Sequence, residues 1–506
     1  MTGSVLTDLP ALVVAADGAD VPTAALVGVH VQQRAGLPAL AELTFADLPA
    51  GSPLTRPGAA LRVTLALRQV PLFEGEVAAV EHEYGPDAGR LVRVRALDRL
   101  AALRRARPLR AYQDTSVAAV ARELCADAGL QVQSHVDGPA LARVLRLGED
   151  DLTLLGRLAA RAGIALTVRG DVLHLHGPDG IGAPVRLGLG RELREARVVV
   201  DGTAAYDRVD VSGWDTATAE QRHGVAGSAR TPAGRPRASS DAGPGAGDGV
   251  LAGAAVTADA EADAAAQALL DTRAAATATL WAVAEGDPQL RPGTVVEVDG
   301  LAADVTGAYC LTAVTHHVDD RAGYTCELSS APPDPPTGTG DAATGTLAVL
   351  GVVSDVDDPD GLGRVALTLP AYGDVATGWL PVVCPSAGPD RGLASLPDVG
   401  DRVLALLDRA DPAHGSVVGG LYGTDTPPGP PVEGGEVRRH AWRTAGGHEL
   451  ALDTAADGGL ALRDARDSRL SLAADLVELH AAADLTIQAP GRTIRIRAAA
   501  IDFERA

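Results

Sequence analysis

Four carboxylates, Asp355, Asp357, Asp358 and Asp360, precede Gly361 and imitate an oxygen-rich calcium loop. Pro359 takes one ligand position, however, and Ala366 stands where a bidentate Glu would close the cage, so the run reads as a turn. His174 and His176 share a strand face and could chelate a metal, but tetrahedral sites need more ligands and no third is suggested nearby. His316 and His317 point to opposite faces of a strand and cannot serve one ion together. Cys125, Cys310, Cys326 and Cys384 lack CxxC spacing and read as buried or incidental thiols rather than a zinc site or disulfide framework. The run GPGAGDG, Gly243–Gly249, lacks the preceding strand, the Lys and the Ser/Thr of a phosphate loop. There is no GxSxG and no HExxH. Carboxylates are abundant enough that some pair could stand ~5–9 Å apart as in a glycosidase, yet nothing singles out two. No catalytic residue, cofactor or metal site is therefore expected.

The elements that would have to position such residues point away from a single catalytic core. A chain of 506 residues is too long for one core, and about three domains are expected. Aromatic residues make up only 3%, and there is no lysine or asparagine, so all 44 basic residues are arginine. The net charge of −22 has the wrong sign for a general nucleic-acid binder and favours solubility. No apolar run approaches the ~18 residues of a membrane span. The N-terminus lacks the basic start of a secretory signal, so no signal peptide is expected.

Residues 1–100 read as strands over Ala25–Val31, Leu40–Phe45, Leu61–Leu67 and Gly75–His82, with Leu91–Leu97 returning as a hairpin partner. Two helices come next. Asp114 or Thr115 caps Ser116–Ala128, and Gly129 ends it; Asp150–Ala162 repeats the plan and stops at Gly163. Strands Ile164–Val168 and Val172–His176 form the next pair. Residues 217–250, rich in Gly, Ala, Ser, Pro and Arg, read as a mobile loop. Asp259–Ala284 reads as an Ala-rich helix, succeeded by strands after Gly293, over Gly307–Val318 and over Tyr324–Leu328. A Pro/Gly linker at 336–346 separates residues 1–335 from the C-terminal third of the chain.

Between 347 and 425, short strands alternate with turn chemistry, which suggests a small Greek-key barrel of the OB type. From 426 to 506 apolar pairs at i and i+2 recur: Leu450/Leu452, Leu460/Leu462, Leu470/Leu472, Val477/Leu479, Leu485/Ile487, Ile494/Ile496 and Ile501/Phe503. Each unit is a very short strand with one apolar face. Alone, two such side chains offset little of the ~1–2 kcal/mol per residue that ordering costs. The cover comes either from other copies, as a three-chain β-prism, or from stacking within one chain as a solenoid or meander.

The order DPDGLGRV, the strand around Trp379, LPDVGDRVLAL and DPAHGSVVGGLY resembles the OB-fold collar of the VgrG/phage baseplate needle family of contractile machines. DLTLLGRLAARAGIALTVRGDVLHLH and GDPQLRPG with the hairpin after it are similar to the hub of the same machines, the late-control tail-protein family. The resemblance implies a mainly β chain with some α. Two tube-like barrel domains with helical insertions form the hub, an OB-fold barrel the collar, and an intertwined trimeric β-helix the needle. It favours the three-chain reading, with Leu450, Leu452, Leu460, Leu462, Leu470, Leu472, Val477, Leu479, Leu485 and Ile487 in a trimer core.

It also implies a structural, non-enzymatic central spike, a homotrimer joining inner-tube or hub-adaptor proteins to a needle that meets a target membrane only on firing. Because the sequence ends on the last pairs, a separate PAAR-like tip protein is expected to dock on Ile494, Ile496, Ile501 and Phe503. No hydrolase or toxin domain is expected beside them. Assembly is expected in the cytoplasm, within a phage tail-like or extracellular injection particle, without nucleic acid. The rival reading is an envelope polysaccharide hydrolase or lyase on a β-solenoid.

Overall fold

The computed structural model describes residues 12–504 apart from 47, 50, 67–69, 86–88, 106–108, 237–246, 334–344, 410 and 455–457. Most of the expected linker at 336–346 thus lies outside the described residues. The chain is mainly β and divides into two compact units, Met1–Gly420 and Leu421–Ala506.

In the first unit, alternating apolar residues build an eleven-stranded antiparallel sheet from two distant parts of the chain. Seven strands between Leu12 and Leu97 form one half, and Leu193–Val200, Ala278–Glu285, Ala313–Asp319 and Gly323–Ser329 form the other. The halves join where Ala313–Asp319 pairs with Leu26–Arg34, His317 opposite His30. Two separate barrels were expected, but among the described residues the strand order is open and continuous. The physical reason is that each half would otherwise leave a bare edge of unpaired N–H and C=O groups, and pairing edge to edge satisfies both. Each half keeps its own core, one around Val31, Phe45 and Val94, the other around Leu280, Tyr309 and Leu328.

Helices α1 (Val117–Asp127) and α2 (Asp151–Arg161) pack their leucine stripes into a third core with Leu166, Leu173 and Leu175. Ser116, rather than Asp114 or Thr115, caps α1, its hydroxyl accepting the Ala119 N–H. Asp114 has instead a left-handed φ of 44° in the preceding strand. Asp150 caps α2 through the Thr153 N–H at 2.8 Å. Gly129 and Gly163, at φ 68° and 64°, turn the chain out of both helices, a conformation strained for residues with a Cβ.

Helix α3 (Asp259–Thr277) lies on the sheet of Tyr206–Asp215, Glu220–Ala226 and Gly247–Ala254. It ends earlier than its alanine content suggests. Ala278, Leu280, Ala282 and Ala284 alternate into the core as a strand, because pairing on both sides outweighs helix propensity. The stretch 217–250, read as a mobile loop, contains Glu220–Ala226 and the start of Gly247–Ala254. Between them, Arg230 pairs with Asp271 at 2.7 Å, and Arg235 donates to the carbonyls of Ala274, Ala275 and Ala278 at the end of α3. Carbonyls at a helix C-terminus lack the next turn's N–H groups, so a guanidinium there compensates for weak local patterning. Residues 237–246, most of GPGAGDG among them, lie outside the described residues.

The collar segment forms a five-stranded antiparallel sheet in the order Val375–Leu380, Val365–Leu369, Thr346–Asp355, Arg402–Asp408, Gly415–Gly420. Val353, Leu367, Val403 and Val417 sit in its core.

Candidate functional site

The second unit shows how the apolar pairs are used. Arg439–Arg443, Glu449–Asp453, Gly459–Arg463, Arg469–Ala473 and Val477–His480 form an antiparallel meander. Tight turns fix its register: Asp464 accepts the N–H groups of Arg466 and Ser468, both at 2.8 Å, and Thr444 closes on His448. The register sets Leu450 opposite Leu462, Leu452 opposite Leu460, Leu460 opposite Leu472, Leu462 opposite Leu470, Leu470 opposite Leu479 and Leu472 opposite Val477. Across the last four strands one face is therefore continuously apolar, with Trp442 and His440 beside it on the first strand. The other carries an ionic ladder, with Arg439 on Glu449 and Asp453 and Arg469 on Glu478.

Among the described residues, nothing covers the outer part of this apolar face. Leu452, Leu462 and Leu472 remain 46%, 44% and 39% exposed, and Trp442, Val477 and Leu479 are exposed too. An open groove of about 500 Å³ runs along it, lined by Trp442, Leu450, Leu462, Leu470, Leu479 and Leu485. Beyond His480 the described chain forms no further strand. Leu485, Ile487, Ile494, Ile496 and Ile501 are exposed there, and Phe503 is 92% exposed. An uncovered apolar surface of this extent is unusual for a free-standing domain and marks an interaction site.

The chemically suggestive residues of the first unit resolve differently. Asp358 is buried at the root of its turn, where it accepts from Arg364 Nε at 3.0 Å and from the N–H groups of Asp360, Leu362 and Arg364. The Arg364 hydrogen bond holds its carboxyl well below the usual carboxylate range. Arg364 also reaches Asp360, so these oxygens are committed to a turn. His135 stacks on His174 at 5.8 Å, a third imidazole that sequence spacing did not suggest. Burial pushes His174 down to about 4, with Arg169 adding to the effect. Among the described residues, no group of three or more His, Cys, Asp or Glu is placed to hold a metal.

The sequence reading also missed a buried cluster. His316 Nδ1 lies 3.1 Å from Cys326 Sγ and 3.0 Å from the Tyr324 hydroxyl, side chains brought together by pairing of the two final hub strands. Burial pushes His316 down to about 3 and Cys326 up to about 12, so the pair is a neutral imidazole and a neutral thiol. It cannot act as a thiolate nucleophile near neutrality. Burial likewise pushes Cys125 and Cys310 up to about 12, and all four cysteines are free. Among the described residues no helix is long and apolar enough to cross a membrane.

The family pattern described as phage tail baseplate hub (GPD) matches residues 39–322. That of the type VI secretion system/phage-baseplate injector OB domain matches residues 349–422. An Escherichia coli component of the type VI secretion system, itself described as structurally similar to T4 bacteriophage tail proteins, superposes with a TM-score of 0.52 at 15% identity, over 81% of this chain and 99% of that one. The Francisella PdpA–VgrG complex in its half-lidded form gives a TM-score of 0.54 at 7% identity, over 92% and 87%. Its lidless form gives 0.52 at 8%, over 93% and 98%. At such identities the likeness is one of fold. No curated protein matches the chain.

Proposed function

This chain belongs to the phage tail baseplate hub family, and we propose that it is the structural central spike of a contractile injection machine. Residues 1–335 act as the hub, 347–425 as the OB collar and 426–506 as the needle. The observation that carries the reading is the uncovered apolar face of the second unit, placed after an OB domain.

Three copies bury these faces against one another as an intertwined β-helix. Leu450, Leu452, Leu460, Leu462, Leu470, Leu472, Val477 and Leu479 lie inward, and the chain through Leu485 and Ile487 completes the core. The driving force is removal of apolar surface from water. Stiffness results because bending a closed β-core breaks many backbone hydrogen bonds together. Three hubs form a ring that meets the inner tube, as part of the same proposal.

The mechanism is mechanical. The hub meets inner-tube or adaptor proteins above, the collar makes the transition to threefold symmetry, and the needle concentrates contraction force on a small area of target membrane. Ile494, Ile496, Ile501 and Phe503 form the seat of a separate PAAR-like tip protein. Assembly takes place in the cytoplasm, as part of a tail-like particle. No catalysis is required of the chain.

A truncation ending at Gly435 tests the division of labour. It keeps the folded hub and collar by circular dichroism and loses binding of the tip protein in a pull-down. Tip recruitment by the truncated chain would refute the docking seat.

A further inference from the structure

The collar's Asp-Pro turn, between Arg402–Asp408 and Gly415–Gly420, is where two modules far apart in sequence are tied together. Arg161, the last residue of α2, donates from Nη1 to Asp411 Oδ2 at 2.6 Å. Its Nη2 donates to the carbonyl of Ala255, in the segment leading into α3. Asp411 is buried, and its Oδ1 accepts the Ala413 N–H at 3.3 Å. His414, also buried, stands 3.5 Å from the same Oδ2 that Arg161 holds. The charged groups around this point are Arg157 and Arg161 from α2, Glu261 from α3, Asp408, which accepts the Asp411 N–H at 3.1 Å, and Asp411 and His414 from the turn.

A second contact repeats the arrangement. Arg143, on Ala140–Arg146, donates to the carbonyls of Ala376 and Thr377 on the collar strand Val375–Leu380. Leu147 packs against the collar core. Both arginines belong to the helical module that interrupts the hub sheet. Surface ion pairs contribute little, but a buried carboxylate deprived of its cation is strongly disfavoured. The Arg161–Asp411 pair is of the second kind on its acidic side.

We propose that Arg161 is the keystone of a hub-to-collar lock. One guanidinium holds α2, the entry to α3 and the Asp-Pro turn in fixed register, so that the collar takes its orientation from the helical module. Arg161 and Asp411 are positioning residues. The lock is a property of the single chain; its role in carrying contraction force into the needle rests on the spike reading above.

Hydrogen exchange on the full-length protein tests this, with Arg161→Ala, Asp411→Asn and the double variant compared with the native chain. Asp411→Asn is isosteric and keeps an acceptor for Ala413, so the turn itself can survive. Each single change speeds exchange at least about tenfold in peptides covering both 255–262 and 411–417, because a buried group loses its partner. Peptides from Leu26–Phe45 report that the hub sheet still folds. The double variant exchanges no faster than the singles, since both remove one interaction. Loosening confined to the mutated side, additive effects, or no change in either peptide would overturn the lock. None of these readouts depends on oligomeric mass, so failure of the spike reading is recognised separately, by a monomeric mass in light scattering.

Discussion

Replacing Leu462 by Asp places a carboxylate in the middle of the apolar face. Leu462 lies opposite Leu450 on one side and Leu470 on the other, and 44% of it is still exposed in the single chain. Full burial of a leucine is worth about 1.5–3 kcal/mol. The part still to be covered is therefore worth about 1 kcal/mol per copy, about 3 kcal/mol for three, or about a hundredfold in the assembly constant. The charge adds far more, since each ion taken out of water without a partner costs several kcal/mol. Leu462→Asp should thus convert a particle of three subunits into monomers at micromolar concentration. Leu462→Met, which conserves volume, should leave three. Multi-angle light scattering after size exclusion reads the difference directly. A native chain that runs as one subunit, or a Leu462→Asp protein that keeps the native mass, would refute the reasoning, because the apolar face would then need no partner.

The collar gives two further expected outcomes. Asp358→Ala leaves the buried Arg364 guanidinium with only the exposed Asp360 carboxylate of its two acidic partners and leaves several turn N–H groups unsatisfied; it should cost about 1–3 kcal/mol, read as a lower urea midpoint with an unchanged slope. The collar turn should also respond to pH. Burial alone would lower His414, but the Asp411 carboxylate 3.5 Å away outweighs it and raises His414 above its ordinary 6.5. Its stabilising share is complete below about 6.5 and is lost as pH rises through the higher folded value. Burial alone would raise Asp411, yet His414 and Arg161 hold it below the carboxylate range. That share is present above about pH 4 and is lost as pH falls through the depressed folded value. Denaturation midpoints should form a plateau between these limits and decline on the mildly alkaline side. His414→Gln should remove the alkaline decline.

Most of the local structure was legible because it is set by near neighbours. The Asp150 cap of α2, the terminating glycines of α1 and α2, the doublet strands from Leu450 to Leu479 and the turn at Asp358 depend on residues a few positions apart, and periodicity carries that information; the cap of α1 fell on Ser116 instead, and the pairs from Leu485 onward formed no strand. The first four doublets show it best: alternation alone put Leu450 and Leu452 on one face, and the meander then aligned each of these pairs with the next. Where local signals competed with pairing, the reading failed. Ala278–Glu285 continues a helix in composition but becomes a strand because it finds partners on both sides.

What the tertiary structure alone decided are contacts between residues distant in sequence. No spacing rule links Arg161 to Asp411, 250 positions away, or places Arg235 at the end of α3. Nor could periodicity reveal that the two halves of the hub share one sheet through His30 and His317. Edge pairing and buried charge depend on which surfaces meet, and that is settled only when cores pack. The sequence determined which faces are apolar, because side-chain alternation is a property of the backbone. Folding determined which of those faces found cover within the chain, and the face of the second unit did not.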